Sequence, residues 1–257
     1  MLSWFSKKKK ENEEVVAGDA LAHGDWSFIQ TDIHSHFIPG IDDGAQTIED
    51  SLIMIRAMKE MGFKSLITTP HVKFDHYPNT TETIQNGLAQ LHRALADNHI
   101  DMQVKTAAEY FIDDHFMQLL ESEQLLTIQK NEVLAELSFM IEPLNFLNTI
   151  FRIQMKGYRL ILAHPERYAF YHDKKEMYEQ LKDRGVLFQL NTIALTGYYG
   201  KPVKEIAEYL LANRFYDYCG SDMHHMRHAE QLKKVLTLKT MDTLKHYPFK
   251  NAKLQVG

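Results

Sequence analysis

Histidines and carboxylates recur where short apolar runs end, and their spacing is that of metal ligands. In Asp32-Ile-His34-Ser-His36 two imidazoles stand two residues apart. Residues so spaced in an extended chain point the same way, so His34 and His36 can grip one ion. Thr68-Thr-Pro-His71, Ala108-Glu109 and Ala163-His164-Pro-Glu-Arg167 add three more donors, and Gly220-Ser-Asp222-Met-His224 repeats the spaced pair. A lone His or Asp at a strand end is more often a hydrogen-bonded structural group than a ligand. The whole set, falling at one end of successive strands, is better read as a metal site. Imidazole and carboxylate without thiolate suit zinc, manganese or iron, whereas calcium takes oxygen alone. A tetrahedral ion holds only about four donors, so this number implies two or three ions sharing carboxylates. Such a cluster lowers the pKa of bound water toward ~7 and clamps both oxygens of an in-line displacement.

Between the first histidine pair and the next helix lies Pro39-Gly-Ile-Asp-Asp-Gly44. Glycines on both sides of Asp42 and Asp43 indicate a tight loop. It either folds a carboxylate back over the metals or is a turn with a helix-capping Asp, and the residues alone leave both open. Arg167 follows His164 by three residues and Arg227 follows His224 by three. A guanidinium fork suits a phosphoryl group, although an isolated arginine is usually a surface residue. No Cys-x5-Arg arrangement, nucleophile elbow, P-loop or dinucleotide fingerprint is present, which disfavours a protein nucleophile.

Positioning these groups requires a scaffold that brings strand ends together. The pattern predicts strands near 31–33, 65–69, 104–108, 133–137, 159–163, 186–190 and 215–220. Helical spacing predicts helices near 47–61, 81–96, 144–155, 174–184 and 203–212, with Gly62, Gly157 and Gly185 at stops. This alternation implies β/α units around a mainly parallel sheet, and about seven of them suggest a barrel. Catalytic groups in such barrels sit at the carboxyl ends of the strands.

With 34 acidic against 29 basic residues and a net charge of −5, the chain offers no broad basic face for nucleic acid. The single cysteine, Cys219, cannot form an internal disulfide, so a reducing compartment is the simplest reading. The start lacks the apolar core of a secretory signal, and no run approaches the ~20 apolar residues of a membrane span. A cytoplasmic location is expected. Residues 1–29 read as a flexible leader, and residues 30–257 as one catalytic domain. Trp4 and Phe5 beside Lys7 to Lys10 offer a weak membrane-surface contact, which Glu11, Glu13 and Glu14 oppose.

With these residues assembled, the chain resembles the PHP (polymerase and histidinol phosphatase) metalloesterases. Within them it is most similar to bacterial protein-tyrosine phosphatases of capsule and exopolysaccharide systems. The motifs are Asp32-Ile-His-Ser-His-Phe-Ile-Pro-Gly-Ile-Asp-Asp-Gly44, Thr69-Pro-His71, Ala108-Glu-Tyr110, Ala163-His-Pro-Glu-Arg-Tyr168 and Ser221-Asp-Met-His224. The resemblance implies a distorted (β/α)7 barrel of the PHP type holding three divalent ions, commonly Mn2+ or Fe2+. It implies that His34, His36, Glu109 and Asp222 hold one ion and that His71 and His164 hold a second bridged by Glu109. Asp43 and His224 would serve the third, and Arg167 and Arg227 would bind phosphate. A metal-bridging hydroxide would attack phosphorus directly. The implied substrate is phosphotyrosine on the tail of a partner, a membrane-associated tyrosine kinase controlling polysaccharide synthesis or export.

Departures from the pattern are Val72, where some relatives carry a second histidine, the run Met223-His-His-Met-Arg-His228 around Arg227, and the extra leader. Glu136 and Asn191, also at strand ends, are candidates for supporting the ligands. A PHP esterase acting on a small metabolite such as histidinol phosphate would use the same ligands. Aromatic residues at the mouth would instead favour a tyrosine ring, and Tyr110, Phe111, Tyr168, Tyr198 and Tyr199 are available, each equally explicable as packing. A metal-dependent amidohydrolase would carry a bridging lysine at the third strand's end, where Glu109 stands and Lys105 lies too far back. A binding module with a dead site has no physical reason to keep eight costly polar groups together.

Overall fold

Short runs of aliphatic residues that favour buried parallel strands alternate here with capped amphipathic helices. The computed structural model describes residues 24–122 and 124–254. In chain order the elements are β1 (Thr31–Asp32), α1 (Ile48–Glu60), β2 (Ser65–Thr68), β3 (His71–Val72), α2 (Thr81–Asp97), β4 (Gln103–Thr106) and β5 (Glu109–Phe111). Then come α3 (Asp114–Ser122), β6 (Glu132–Glu136), α4 (Phe146–Met155), β7 (Arg159–Ala163), α5 (Glu176–Asp183) and β8 (Leu187–Asn191). The chain continues through α6 (Lys201–Ala212), β9 (Tyr218–Gly220), α7 (Met226–Val235) and α8 (Met241–His246).

All ladders between these strands are parallel, in the orders β1-β2-β4 and β3-β5-β6-β7-β8-β9. The two sheets are one surface interrupted twice. The backbone N–H of Ala107 donates to the Thr68 carbonyl at 2.9 Å and that of Glu109 to the Pro70 carbonyl at 3.1 Å, so pairing resumes beyond each break. The expected second and third strands therefore correspond to β2 and β4, and each is continued after a break, by β3 and β5, beyond the expected bounds. Pro70 has no N–H for a ladder, which explains the first interruption.

Closure comes from the far edge. Ser35 bridges Met223 in parallel, and the Asp222 N–H donates to the His34 carbonyl at 2.8 Å. Asp32 accepts from the Ser221 N–H at 2.7 Å and the Ser221 hydroxyl at 2.8 Å. Burial pushes this carboxyl up to about 7, against the Ser221 bonds that lower it. With β2/β3 and β4/β5 each counted as one position, the result is the expected distorted seven-stranded barrel.

Side chains alternate across the sheet. Ile33, Ile67, Ala107, Leu134, Ile161, Ala163 and Leu187 fill the barrel interior, while Val133, Ala135, Leu160 and Leu162 pack outward against helices. Thr47 caps α1 through a reciprocal pair of bonds with Asp50, and Leu52, Ile55 and Met58 bury its inner face. Gly62 follows with φ +100°, a left-handed stop suited to glycine.

Helices α3, α7 and α8 have no counterpart in the sequence expectations. Asp113 accepts from the Phe116 N–H at 2.8 Å, and Phe116 and Leu120 are buried four residues apart. That cap and spacing were a usable signal for α3. Residues 24–29, grouped by sequence with the leader, are folded here. Trp26 is 1% exposed and stacks on Phe63 with centroids 6.0 Å apart. The remainder of the leader, including Trp4 and Phe5, lies outside the described residues.

Candidate metal centre

Period-two alternation carries the barrel's interior directly into the site. Glu109 follows the inward Ala107 by two residues, and Glu136 follows Leu134 by two, so both carboxylates rise from the interior at the strands' carboxyl ends. The strand-end histidines join them. His34, His36, Glu109 and Asp222 bring one donor atom each within 4.8 Å of one another. Two further sets, His36–Asp43–His71–His224 and His71–Glu109–Glu136, meet the same limit and share members with the first. His164 Nε2 lies 3.1 Å from Glu109 Oε1 and 3.8 Å from Glu136 Oε2. All eight sequence-nominated donors thus converge, and Glu136 joins them as a possible donor in its own right.

Tautomers are set by outer partners. The Nδ1 atom of His34 donates to Gln189 Oε1 at 2.9 Å, that of His36 to Asp42 Oδ2 at 2.8 Å, and that of His224 to the Asp222 carbonyl at 2.9 Å. Each bond leaves the Nε2 lone pair facing the cluster, the arrangement of a metal-ligating imidazole. Asp42 also accepts from the Gly44 and His71 N–H groups at 2.9 and 3.1 Å. The two aspartates of the tight loop therefore divide the work. Asp42 braces histidines, whereas Asp43 Oδ1 stands 3.4 Å from His224 Nε2 and 3.5 Å from His71 Nε2. The helix cap is Thr47, and neither aspartate serves as one.

Two observations fit cations here. His34 Nε2, His36 Nε2 and Glu109 Oε2 are buried without a well-directed hydrogen bond, although His34 Nε2 and Glu109 Oε2 are only 3.1 Å apart. His164 and Asp222 adopt left-handed backbone, at φ 34° and 51°, a strained state for non-glycine residues that concentrates at functional sites. The charge field is polarised as well. Burial lowers the His34 pKa, but the negative field of Glu109 and Asp222 outweighs it and raises it, a field that favours positive charge at its Nε2. Burial takes His71 down to about 4. Burial and the neighbouring Glu109 charge push Glu136 well above the usual carboxylate range.

The cluster floors a cavity of about 470 Å³. Lys73, His76, Tyr77, Phe139, Arg167, Tyr198, Tyr199, His225 and His228 line the rest of it. Arg167 reaches the centre, donating from Nη1 to Asp222 Oδ2 at 2.9 Å. Arg227 is exposed on α7 and is not part of this lining. Asn191 donates to Asp222 Oδ2 at 2.8 Å, a supporting contact of the kind its strand-end position suggested. Of the five rim aromatics, only Tyr198 and Tyr199 line the cavity. Tyr110 and Tyr168 are core residues, and Phe111 lies under Lys73 with its centroid 4.1 Å from the ammonium. Lys73, a cation at the mouth, was missed because a lysine two residues after a histidine carries no distinguishing pattern. Lys105 is exposed on β4.

A family model of capsular polysaccharide synthesis proteins, CpsB/CapC, matches residues 30–244. The tyrosine-protein phosphatase YwqE of Bacillus subtilis is 28% identical over 228 residues, 87% of this chain and 90% of that protein. The tyrosine-protein phosphatase CpsB of Streptococcus agalactiae is 23% identical over 201 residues, 76% of this chain and 83% of its own length. Among solved structures, one from a study of YwqE of B. subtilis and CpsB of Streptococcus pneumoniae, described as metal-dependent tyrosine phosphatases, superposes with a TM-score of 0.74 at 27% identity. The match covers 87% of this chain and 90% of that one.

Proposed function

Because the chain belongs to the CpsB/CapC family of capsular polysaccharide synthesis, we infer that it is a metal-dependent protein-tyrosine phosphatase. The observation that carries this reading is the meeting, in one cavity, of the histidine–carboxylate cluster with Arg167, whose Nη1 is 2.9 Å from Asp222. We assign His34, His36, Glu109 and Asp222 to one divalent ion. His71, His164 and Glu136 would help hold a second beside Glu109, and Asp43 and His224 would hold a third. Manganese or iron suits this donor set, and zinc is the alternative. Bound ions of this kind supply an acidified water and electrostatic clamping of phosphoryl oxygens.

The chain's own groups do the rest. Arg167 offers a planar fork to the phosphate's outer oxygens, and Tyr198 and Tyr199 border the space an aryl ring would enter. Gln189, Asp42 and Asn191 hold His34, His36 and Asp222 in place. The leaving phenolate is a weak base, so expulsion needs little help from a protein acid.

The substrate we propose is a phosphotyrosine segment of a tyrosine kinase that controls polysaccharide synthesis or export. No helix among the described residues is long and apolar enough to cross a membrane. We place the reaction in the cytoplasm, where the buried Cys219 stays a thiol. The test is phosphate release from a phosphotyrosine peptide and from p-nitrophenyl phosphate, after chelation and re-addition of Mn2+ or Fe2+, with His34→Ala as control. Metal-dependent turnover of the peptide, lost in the variant, is the expected result. Turnover of the small ester alone would point to a metabolite esterase, and no release with any metal would overturn the phosphatase reading.

A further inference from the structure

Arg167 is flanked by two rings from separate loops. The Phe139 centroid, just after β6, and the Tyr199 centroid, just before α6, each lie 4.3 Å from the guanidinium carbon. The three side chains line the same cavity. Each ring is itself anchored. Tyr199 accepts at its hydroxyl from Asn191 Nδ2 at 3.2 Å, and the same amide donates to Asp222 Oδ2 at 2.8 Å. Phe139 has no polar handle; it stacks on the fully buried Tyr168 with centroids 6.0 Å apart and tilts against His164 at 5.5 Å. Phe139 is 37% exposed, so its contact with Arg167 occurs at the cavity's edge, where solvent would otherwise free the guanidinium.

We propose that Phe139 and Tyr199 are positioning residues that clamp the Arg167 guanidinium, leaving its free donors aimed at the phosphoryl oxygens of the substrate. The inference rests on the phosphatase reading and deepens it. All five N–H donors of a guanidinium lie in its own plane, so contact of its faces with aromatic rings holds the group without consuming any of them. One of these, Nη1, is committed to Asp222. The remaining edge is what a phosphate can take in two parallel bonds. A long arginine side chain held in this pose loses less freedom on binding than one free in solvent, so the clamp acts through pre-organisation.

The test is a double-mutant cycle in the full-length, Mn2+-loaded protein. Phe139→Leu and Arg167→Ala are made singly and together, and kcat/KM for a phosphotyrosine peptide is read with the Ki of inorganic phosphate. Phe139→Leu is expected to lower kcat/KM about tenfold and to weaken phosphate inhibition by a similar factor. Phe139→Tyr, which restores a ring, is expected to recover most of the loss. In the Arg167→Ala background, Phe139→Leu should change neither quantity further. Tyr199→Leu serves as an independent second ring deletion with the same expectation. Equal losses with and without Arg167, or a Phe139→Leu defect that leaves phosphate Ki unmoved, would overturn the clamp while leaving the phosphatase standing. A wild-type protein that neither turns over the peptide nor binds phosphate would sink both.

Discussion

Asp222 joins the histidine–carboxylate cluster to Arg167 through its two oxygens. Its Oδ1 lies 3.3 Å from His34 Nε2, and its Oδ2 accepts from Arg167 Nη1 at 2.9 Å. One carboxylate therefore sets the spacing between the candidate ions and the guanidinium. Burial raises the Asp222 carboxyl, but His34, His224, His36 and Arg167 overcome that and hold it well below the usual range. It stays an acceptor toward both neighbours.

Arg167→Ala is expected to lower kcat/KM for a phosphotyrosine peptide about 10²-fold, the scale of losing one pre-organised donor to developing charge. Arg167→Lys should recover only part of this, because an ammonium has neither the fork nor the flat face. Steady-state kinetics of the two variants would check it. Full activity in Arg167→Lys would show that charge alone suffices.

Glu136 should matter to metal binding even though its strand-end position alone did not mark it as a ligand. Its Oε1 lies 3.6 Å from His71 Nδ1 and its Oε2 3.8 Å from His164 Nε2. Glu136→Gln is expected to weaken Mn2+ binding roughly 10- to 100-fold. Titration calorimetry reads this directly, and the Mn2+-induced rise in melting temperature should shrink in parallel. Unchanged affinity would remove Glu136 from the ligand set.

The loop bearing Asp42 and Asp43 has no room at Gly44. A Cβ there would stand 2.3 Å from both the His36 Cβ and the His36 carbonyl oxygen. Gly44→Ala must displace the loop, His36, or both. The expected cost is roughly 1–3 kcal/mol of stability, with a fall in activity as Asp43 leaves His71 and His224. Denaturant melts and kinetics of this variant test the point. A stable, fully active Gly44→Ala protein would refute it.

Away from the site, Asp217 ties the barrel together and gives it an acid-sensitive component. It accepts from Lys182, from Lys250 Nζ at 2.8 Å and from the Phe188 N–H at 3.0 Å. Burial pushes its carboxyl up, but the bonds from Lys182 and Lys250 prevail and leave it below the ordinary value. Burial also pulls Lys182 down despite the same bond, so the favourable balance resides on Asp217, which gathers all three donors. A carboxyl with a depressed folded pKa stabilises above its unfolded value of about 3.9 and loses that contribution as pH falls through the folded value. Acid melts from pH 7 to pH 2 should show wild-type stability declining below about pH 4. Asp217→Asn should be less stable at pH 7 and less sensitive across that window, and identical acid profiles would exclude the linkage.

Much of the molecule was legible in the chain. Strand ends could be read because buried parallel strands are short apolar runs, and a ligand that follows such a run interrupts its hydrophobicity visibly. His34, His36, His71, Glu109, His164, Asp222 and His224 all announce themselves in this way. The broken strands did not, since the apolar run through Ala107 and Ala108 carries no local mark of the point where the neighbouring strand reaches Pro70 and loses an N–H. Helix α7 was hidden by the histidine-rich run that opens it, which reads as ligands rather than as a first turn.

What local pattern determined, then, was the donor chemistry and the end of the barrel where it gathers, because period and residue type are properties of neighbours along the chain. Tertiary structure alone decided which donors come within reach of one another, that Asp42 braces while Asp43 faces the cluster, that Tyr110 and Tyr168 turn into the core, and that Arg167 rather than Arg227 reaches Asp222. Those outcomes depend on barrel closure between β1 and β9, which brings Asp32 and Ser221 within 2.8 Å across 189 residues. Contacts of that range are set by packing and shape, and no window of sequence contains both partners.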